Sequence, residues 1–257
     1  MLKKVMVLLF GAALVGSCTS RANVAGSSSP PTTPPPSTST PPATSGYSPE
    51  IDPANFVAAI DNAYFPLPPG RTLVYEGVRD GKDQRDEFVV THETKVIMGI
   101  NCVVVRDTAT RLGGTLIERT DDWFAQDKEG NVWYMGEDTK LFDAKGNVKS
   151  TEGSWEGGVD GAQPGIVMPA HPGAPSTYRQ EFYRGHAQDM AWILDLAQSV
   201  TVPYGTFSGV LETLEWSPLE PDVIEKKYYV SGFGLVFSTS AAGEVENAQL
   251  VSVTAGP

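Results

Sequence analysis

Cysteine is nearly absent from this chain: two in 257 residues, Cys18 and Cys102. At most one intrachain disulfide is available, so the fold has to rest on a core that stands without staples. Histidine is almost as scarce, at three. The familiar catalytic spacings are missing too. "GTFSG" at 205–209 sets its serine one place too late for a G-x-S-x-G elbow, and H-E-x-x-H, P-loop and dinucleotide fingerprints do not occur. Basic residues number 19 against 31 acidic ones, a formal net charge of −12. That balance excludes nucleic acid, whose binding needs Lys and Arg to displace counterions. It also disfavours lying flat on anionic lipid. Acidity of this kind suits solubility or cationic partners without naming one.

Long hydrophobic runs are also lacking. The longest, "VMVLLFGAALVGS" at 5–17, is shorter than the roughly 20 residues a membrane-spanning helix needs. It follows the basic head Met1-Leu2-Lys3-Lys4 and ends in small residues, the layout of a secretory signal that is removed. Removal would take two lysines and no acid, leaving the remainder more acidic still.

Val15-Gly16-Ser17-Cys18 resembles the lipobox of bacterial lipoproteins. The resemblance implies that Cys18 receives a diacylglycerol and becomes the new N-terminus. Val15 departs from the leucine more usual there. Each buried CH₂ of an acyl chain contributes about 0.8 kcal/mol, so a multiply acylated cysteine stays on its membrane. The expected address is the cell envelope, outside the cytoplasm, with the membrane itself as partner through Cys18. With Cys18 lipidated, Cys102 has no partner. It sits in the apolar "INCVVV" and reads as a small buried hydrophobe.

Behind the lipobox, residues 19–49 carry one charge, one aromatic and a mass of Ser, Thr and Pro. Such a segment cannot offset its own ordering entropy. Polyproline II at about 3.1 Å per residue gives about 30 residues a reach on the order of 90 Å. The expected organisation is therefore a signal at 1–17, a lipidated cysteine and disordered tether at 18–50, and one β-rich domain at 51–257.

Within that domain, "IDPANF" suggests a short helix, with Asp52 as N-cap and Pro53 behind it. Period-2 runs then dominate: "TLVYEGV", "DEFVVTHETKVIM", "NCVVVRDTAT", "GTLIERTDDWFAQD" and "NVWYMGED". The connectors are short and turn-like, so neighbouring strands should be antiparallel hairpins. "DKEGN" at 127–131 and "DAKGN" at 143–147 suit turns closed by a left-handed glycine. The Gly- and Pro-rich stretch 151–176 reads as a long loop. "HAQDMAWILDLAQ" at 186–198 fits either a short helix or a strand. The predicted fold is mainly β: an antiparallel curved sheet, half-barrel or barrel-like meander, with one or two short helices. "YFPLPPG…VYEG" at 64–77 and "VPYGTF…YYVSGFGLV" at 202–236 resemble exported β-rich bacterial lipoproteins, and no activity comes with that resemblance. The closing half is also similar to lipoprotein-carrier proteins, in which a half-barrel wraps an apolar groove.

The candidate site residues are few. His92 shares a strand parity with Phe88, Val90, Thr94, Val96 and Met98 and would line a pocket if that face were apolar. Trp123, Trp133 and Tyr134 flank the "DKEGN" hairpin and offer either cross-strand packing or a ligand platform. Met168, His171, His186 and Met190 combine thioether and imidazole, donors that suit copper, at no recognised spacing. Asp80, Asp83 and Asp86 surround a hairpin tip and read as solvated. Asp121 and Asp122 are adjacent in a strand, point to opposite faces and cannot share a site. The leading reading is a non-enzymatic envelope module, with no cofactor, binding an apolar or carbohydrate ligand or an envelope protein. The alternatives are a secreted hydrolase with an acid pair involving Asp122 or Asp189, a copper-binding protein, and a structural spacer.

Overall fold

The computed structural model describes residues 46–255. The signal, the lipobox with Cys18 and nearly all of the tether lie outside the described residues. A single 3-10 turn, Pro53–Asn55, realises the first helix signal, and the Asp52 carboxylate accepts a hydrogen bond from the Ala54 amide at 2.9 Å. Strands follow in order: β1 Phe56–Val57, β2 Thr72–Arg79, β3 Lys82–Ile97, β4 Ile100–Arg111, β5 Leu116–Asp127, β6 Val132–Phe142, β7 Val148–Ser150 and β8 Trp155–Glu156. Then come β9 Gln163–Met168, β10 Ser176–Arg179, β11 Glu181–Phe182, β12 Met190–Val202, β13 Gly205–Trp216, β14 Ile224–Val230, β15 Gly234–Ala242 and β16 Asn247–Thr254.

These strands pair antiparallel in the order β10-β12-β13-β14-β15-β16-β2-β3-β4-β5-β6-β9-β11. The two ends of that path, β10 and β11, are consecutive in the chain. Ser176–Arg179 pairs with β12 on one side, and Glu181–Phe182 pairs with β9 on the other. One short segment thus draws the sheet into a nearly closed barrel, which removes the exposed edges an open sheet would present. Gly165 makes the crossing possible. A Cβ there would stand 2.4 Å from the carbonyl carbon of Gln180. Outside the seam, Arg179 lies over the Tyr47 ring at 5.5 Å and the Phe182 ring at 4.9 Å. Tyr47 meets Phe182 edge-on at 6.1 Å, so the chain arriving from the tether packs on the closing segment.

Alternation places the core. Phe65, Leu73, Tyr75, Phe88, Val90, Val103, Val105, Phe124, Tyr134, Leu211, Tyr229 and Leu250 fill the interior. A second, smaller cluster lies on the outer face: Ile97, Ile100, Cys102, Val104, Trp123, Ala125 and Met135, with Ile51 and Phe56 packed against it. Cys102 is fully buried there, as expected, and burial pushes its thiol up to about 12.

Several local expectations give way. The stretch 151–176 is not one loop: it contains β8 and β9, because Gly165, Ile166 and Met168 pair into the sheet beside β6. Pro164 and Gly165 are tolerated because β9 meets only a two-residue partner, β11, on its far side. Of the two readings left open for the "MAWILDLAQ" stretch, strand holds, its ladder with β13 prevailing over the helical spacing of Met190, Ile193 and Leu194. Of the one or two short helices expected, the described residues hold only the 3-10 turn. The two Asp-x-x-Gly-Asn turns form as read. Asp127 and Asp143 each accept from the amides two and four residues on, and Gly130 and Gly146 take positive φ.

Candidate functional site

The inner face of the barrel carries a layer of buried charge. Rows of directly paired residues cross β2 to β6. In the first, Tyr75, Asp86, Ala109, Glu118 and Leu141 lie side by side. In the second, Leu73, Phe88, Asp107, Thr120 and Thr139 do so. The third runs Val90, Val105, Asp122, Glu137 and Trp155. Period-2 alternation commits every residue in a row to the same face. Five carboxylates, Asp86, Asp107, Glu118, Asp122 and Glu137, therefore point inward among apolar neighbours, all of them buried.

The wall has few donors. Tyr134 donates to Asp122 at 2.7 Å, Thr139 to Glu137 at 2.6 Å and Gln84 Nε2 to Asp86 at 2.7 Å. The nearest cation to these acids is Arg79, whose guanidinium stands 3.7 Å from Glu118, and Arg111 also acts on Asp86. Among the described residues, one oxygen each of Gln84, Asp107, Glu118, Asp122 and Glu137 has no hydrogen-bond partner, nor has any of the three Arg79 side-chain nitrogens or the Trp155 indole. Burial is the main cause that pushes the Asp86, Glu118 and Asp122 carboxyls up to about 7. It drives Asp107 and Glu137 well above the usual carboxylate range, neighbouring carboxylates adding to the effect.

Across the barrel, β13 to β15 carry a second polar group. Lys227 Nζ reaches Glu215 at 2.8 Å and Glu225 at 3.3 Å. Tyr229 and Thr213 both donate to Glu215, at 3.1 and 2.8 Å. Burial alone would lower the lysine's affinity for its proton; the two glutamates outweigh it and raise it. Glu225 is pushed up to about 7 by burial, with Lys227 opposing.

The residues singled out in the sequence are scattered over this frame. Tyr134 lies inside, stacked on Phe124 at 5.1 Å and edge-on to Trp155 at 5.3 Å. Trp123 and Trp133 lie on the outer face. Trp123 is buried beneath Lys95, whose Nζ stands 3.2 Å from the ring centroid, and Lys95 in turn pairs with Glu156. Trp133 bonds Asp127 through its indole nitrogen at 2.8 Å and packs against Phe56. His92 is exposed, because it lies inside the irregular stretch between Val90 and Thr94 where β3 leaves its ladder with β4. Met168 is in the core, His171 is exposed, and His186 is exposed and stacks on Tyr183 at 4.3 Å. Met190 opens β12. Among the described residues no group of three or more His, Cys, Asp or Glu converges as a metal site. Asp122 faces Glu137, while the Asp189 backbone carbonyl accepts from the Gln180 amide near the seam. Asp86 is buried in the wall and is not part of a solvated tip.

Of the wall's acids, Asp122 was noted only as a possible member of an acid pair and Asp86 only as part of a solvated tip; Asp107, Glu118 and Glu137 stayed hidden because charged residues in strands usually mark the solvent face. The signal was there nonetheless. Asp107 shares parity with Val103 and Val105, and Asp122 with Phe124.

No protein-family model matches the chain, and no curated protein does. Two solved structures share part of its shape. One is a protein described as exported, with a YmcC-like fold, from Bacteroides fragilis. It is 14% identical at a TM-score of 0.44, over 76% of this chain and 100% of its own. The other is described as a lipoprotein from Parabacteroides distasonis, 13% identical at 0.40, over 75% of this chain and 99% of its own. Likeness at this level assigns no activity.

Proposed function

We propose that this chain is an exported lipoprotein, held on a bacterial membrane through Cys18. It carries, at the end of a spacer, a non-enzymatic barrel that binds a ligand inside. The lipobox layout and the Ser/Thr/Pro tether support the address. The wall of buried carboxylates supports the container. Burying an ionisable group costs free energy unless it is paired and hydrogen-bonded. A barrel selected for stability alone would fill that wall with apolar side chains.

Two measurements test the two halves. Metabolic labelling with a palmitate analogue should mark the wild type and leave Cys18→Ala unmarked; an unmarked wild type removes the anchor. Native mass spectrometry of protein from its own host should show a bound small molecule, and a bare mass from gentle preparations counts against the container. A second reading is favoured by Asp122 and Glu137 standing opposite each other on β5 and β6: a hydrolase with that acid pair. A hydrolytic turnover lost in Asp122→Asn would establish it.

A further inference from the structure

The wall's geometry also says what kind of ligand it takes. This step rests on the container reading and not on the anchor. Glu118 and Asp122 stand four residues apart on one strand, about 13 Å at 3.3 Å per residue. Asp107 pairs across from Thr120, between them, and Glu137 lies opposite Asp122. The acids therefore form a rail along the barrel wall. No group of three or more His, Cys, Asp or Glu among the described residues is placed to hold a metal ion. A point charge suits a rail poorly. A linear cation with several N–H groups suits it well.

Gln84 supplies an independent observation. It is buried at 5% exposure, and its Nε2 is fixed on Asp86 at 2.7 Å, which aims the amide into the wall. Its Oε1 has no donor among the described residues. A carboxylate can relieve its isolation by taking a proton. An amide oxygen cannot, and needs a donor brought from outside. An apolar ligand would leave that oxygen and the acid oxygens as they are.

We propose that the Asp107–Glu118–Asp122–Glu137 wall, with Gln84 at its end, is a binding site for a linear organic polycation, an amine or guanidino-amine. Its N–H groups would bond the acceptors that now lack partners, and its charge would balance the excess of carboxylates over Arg79. The wall is closed to solvent, so the ligand has to enter through an opening. The seam is the place where the ladders are shortest, four paired residues to β12 and two to β9.

The test uses the full chain, extracted in mild detergent and titrated calorimetrically with spermidine and with agmatine at physiological salt. Saturable binding of at least one is expected at pH 8, weakened tenfold or more at pH 5, where the carboxylates hold protons. Asp122→Asn/Glu137→Gln should keep its circular dichroism spectrum and lose at least tenfold in affinity. Glu76→Gln, at a half-buried acid paired with Arg85 outside the wall, should bind like wild type. Three results would each overturn the proposal: no saturable binding of either probe, binding indifferent to the double substitution, or an equal loss in Glu76→Gln. Palmitate labelling reports on the anchor separately, so the two readings fail independently.

Discussion

The two polar walls of this barrel obey the same burial and reach opposite outcomes. On β13 to β15, Lys227 stands between two glutamates, and Tyr229 and Thr213 complete the bonding of Glu215. On β3 to β6, five carboxylates share Arg79, which stands 3.7 Å from its nearest partner, and Arg111, which acts on Asp86; oxygens on four of the five lack donors among the described residues. A buried network stabilises and specifies a fold only when its members are satisfied. The first wall meets that condition and reads as structure. The second does not, and a site kept at a cost to stability is where a ligand belongs.

Substitutions can break the contrast. The largest effect is expected from Lys227→Met, which strands Glu215 and Glu225 without their cation. It should cost about 3–5 kcal/mol in urea unfolding, as removing one partner of a buried pair does. Next is Gly165→Ala at the seam that joins the walls. Its Cβ would collide with Gln180, costing about 1–3 kcal/mol for an overpacked contact and raising hydrogen exchange across 176–182. Glu215→Gln weakens the satisfied network and should cost about 1–3 kcal/mol. Its counterpart Asp122→Asn should be neutral or stabilising at pH 8, because it relieves a charge that the wall does not balance. Equal destabilisation by these two substitutions would erase the distinction between the walls.

Apart from the substitutions, the unbalanced wall should give stability a sloping dependence on pH. Asp86, Glu118 and Asp122 titrate near 7 when folded and near 4 when unfolded. The folded state holds the extra protons, so their contribution is complete below about pH 4 and is lost as pH rises through about 7. Thermal melts should therefore show a lower midpoint at pH 8 than at pH 5.

The sheet was legible in the sequence because its strands alternate and its connectors are short, as in "DKEGN" and "DAKGN". The seam was not. The pairing of Ser176–Arg179 and Glu181–Phe182 with strands at opposite ends of the sheet is a long-range fact, and Pro164 and Gly165 disguised β9 as loop. His92 was misplaced because it sits in a local break of the ladder, where residues 91–93 of β3 stand opposite the single residue 104 of β4. The acid wall was half visible. Parity with Val105 and Phe124 turns Asp107 and Asp122 inward. Only the pairing of β3, β4, β5 and β6 shows that the acids gather on one wall.

One inner wall holds more carboxyl groups than it can ionise comfortably. Infrared titration reads protonated carboxyls directly. Their carbonyl band should persist to about pH 7 in the wild type and shrink in Asp122→Asn/Glu137→Gln. A band gone by pH 5, or one unchanged by the double substitution, would contradict it.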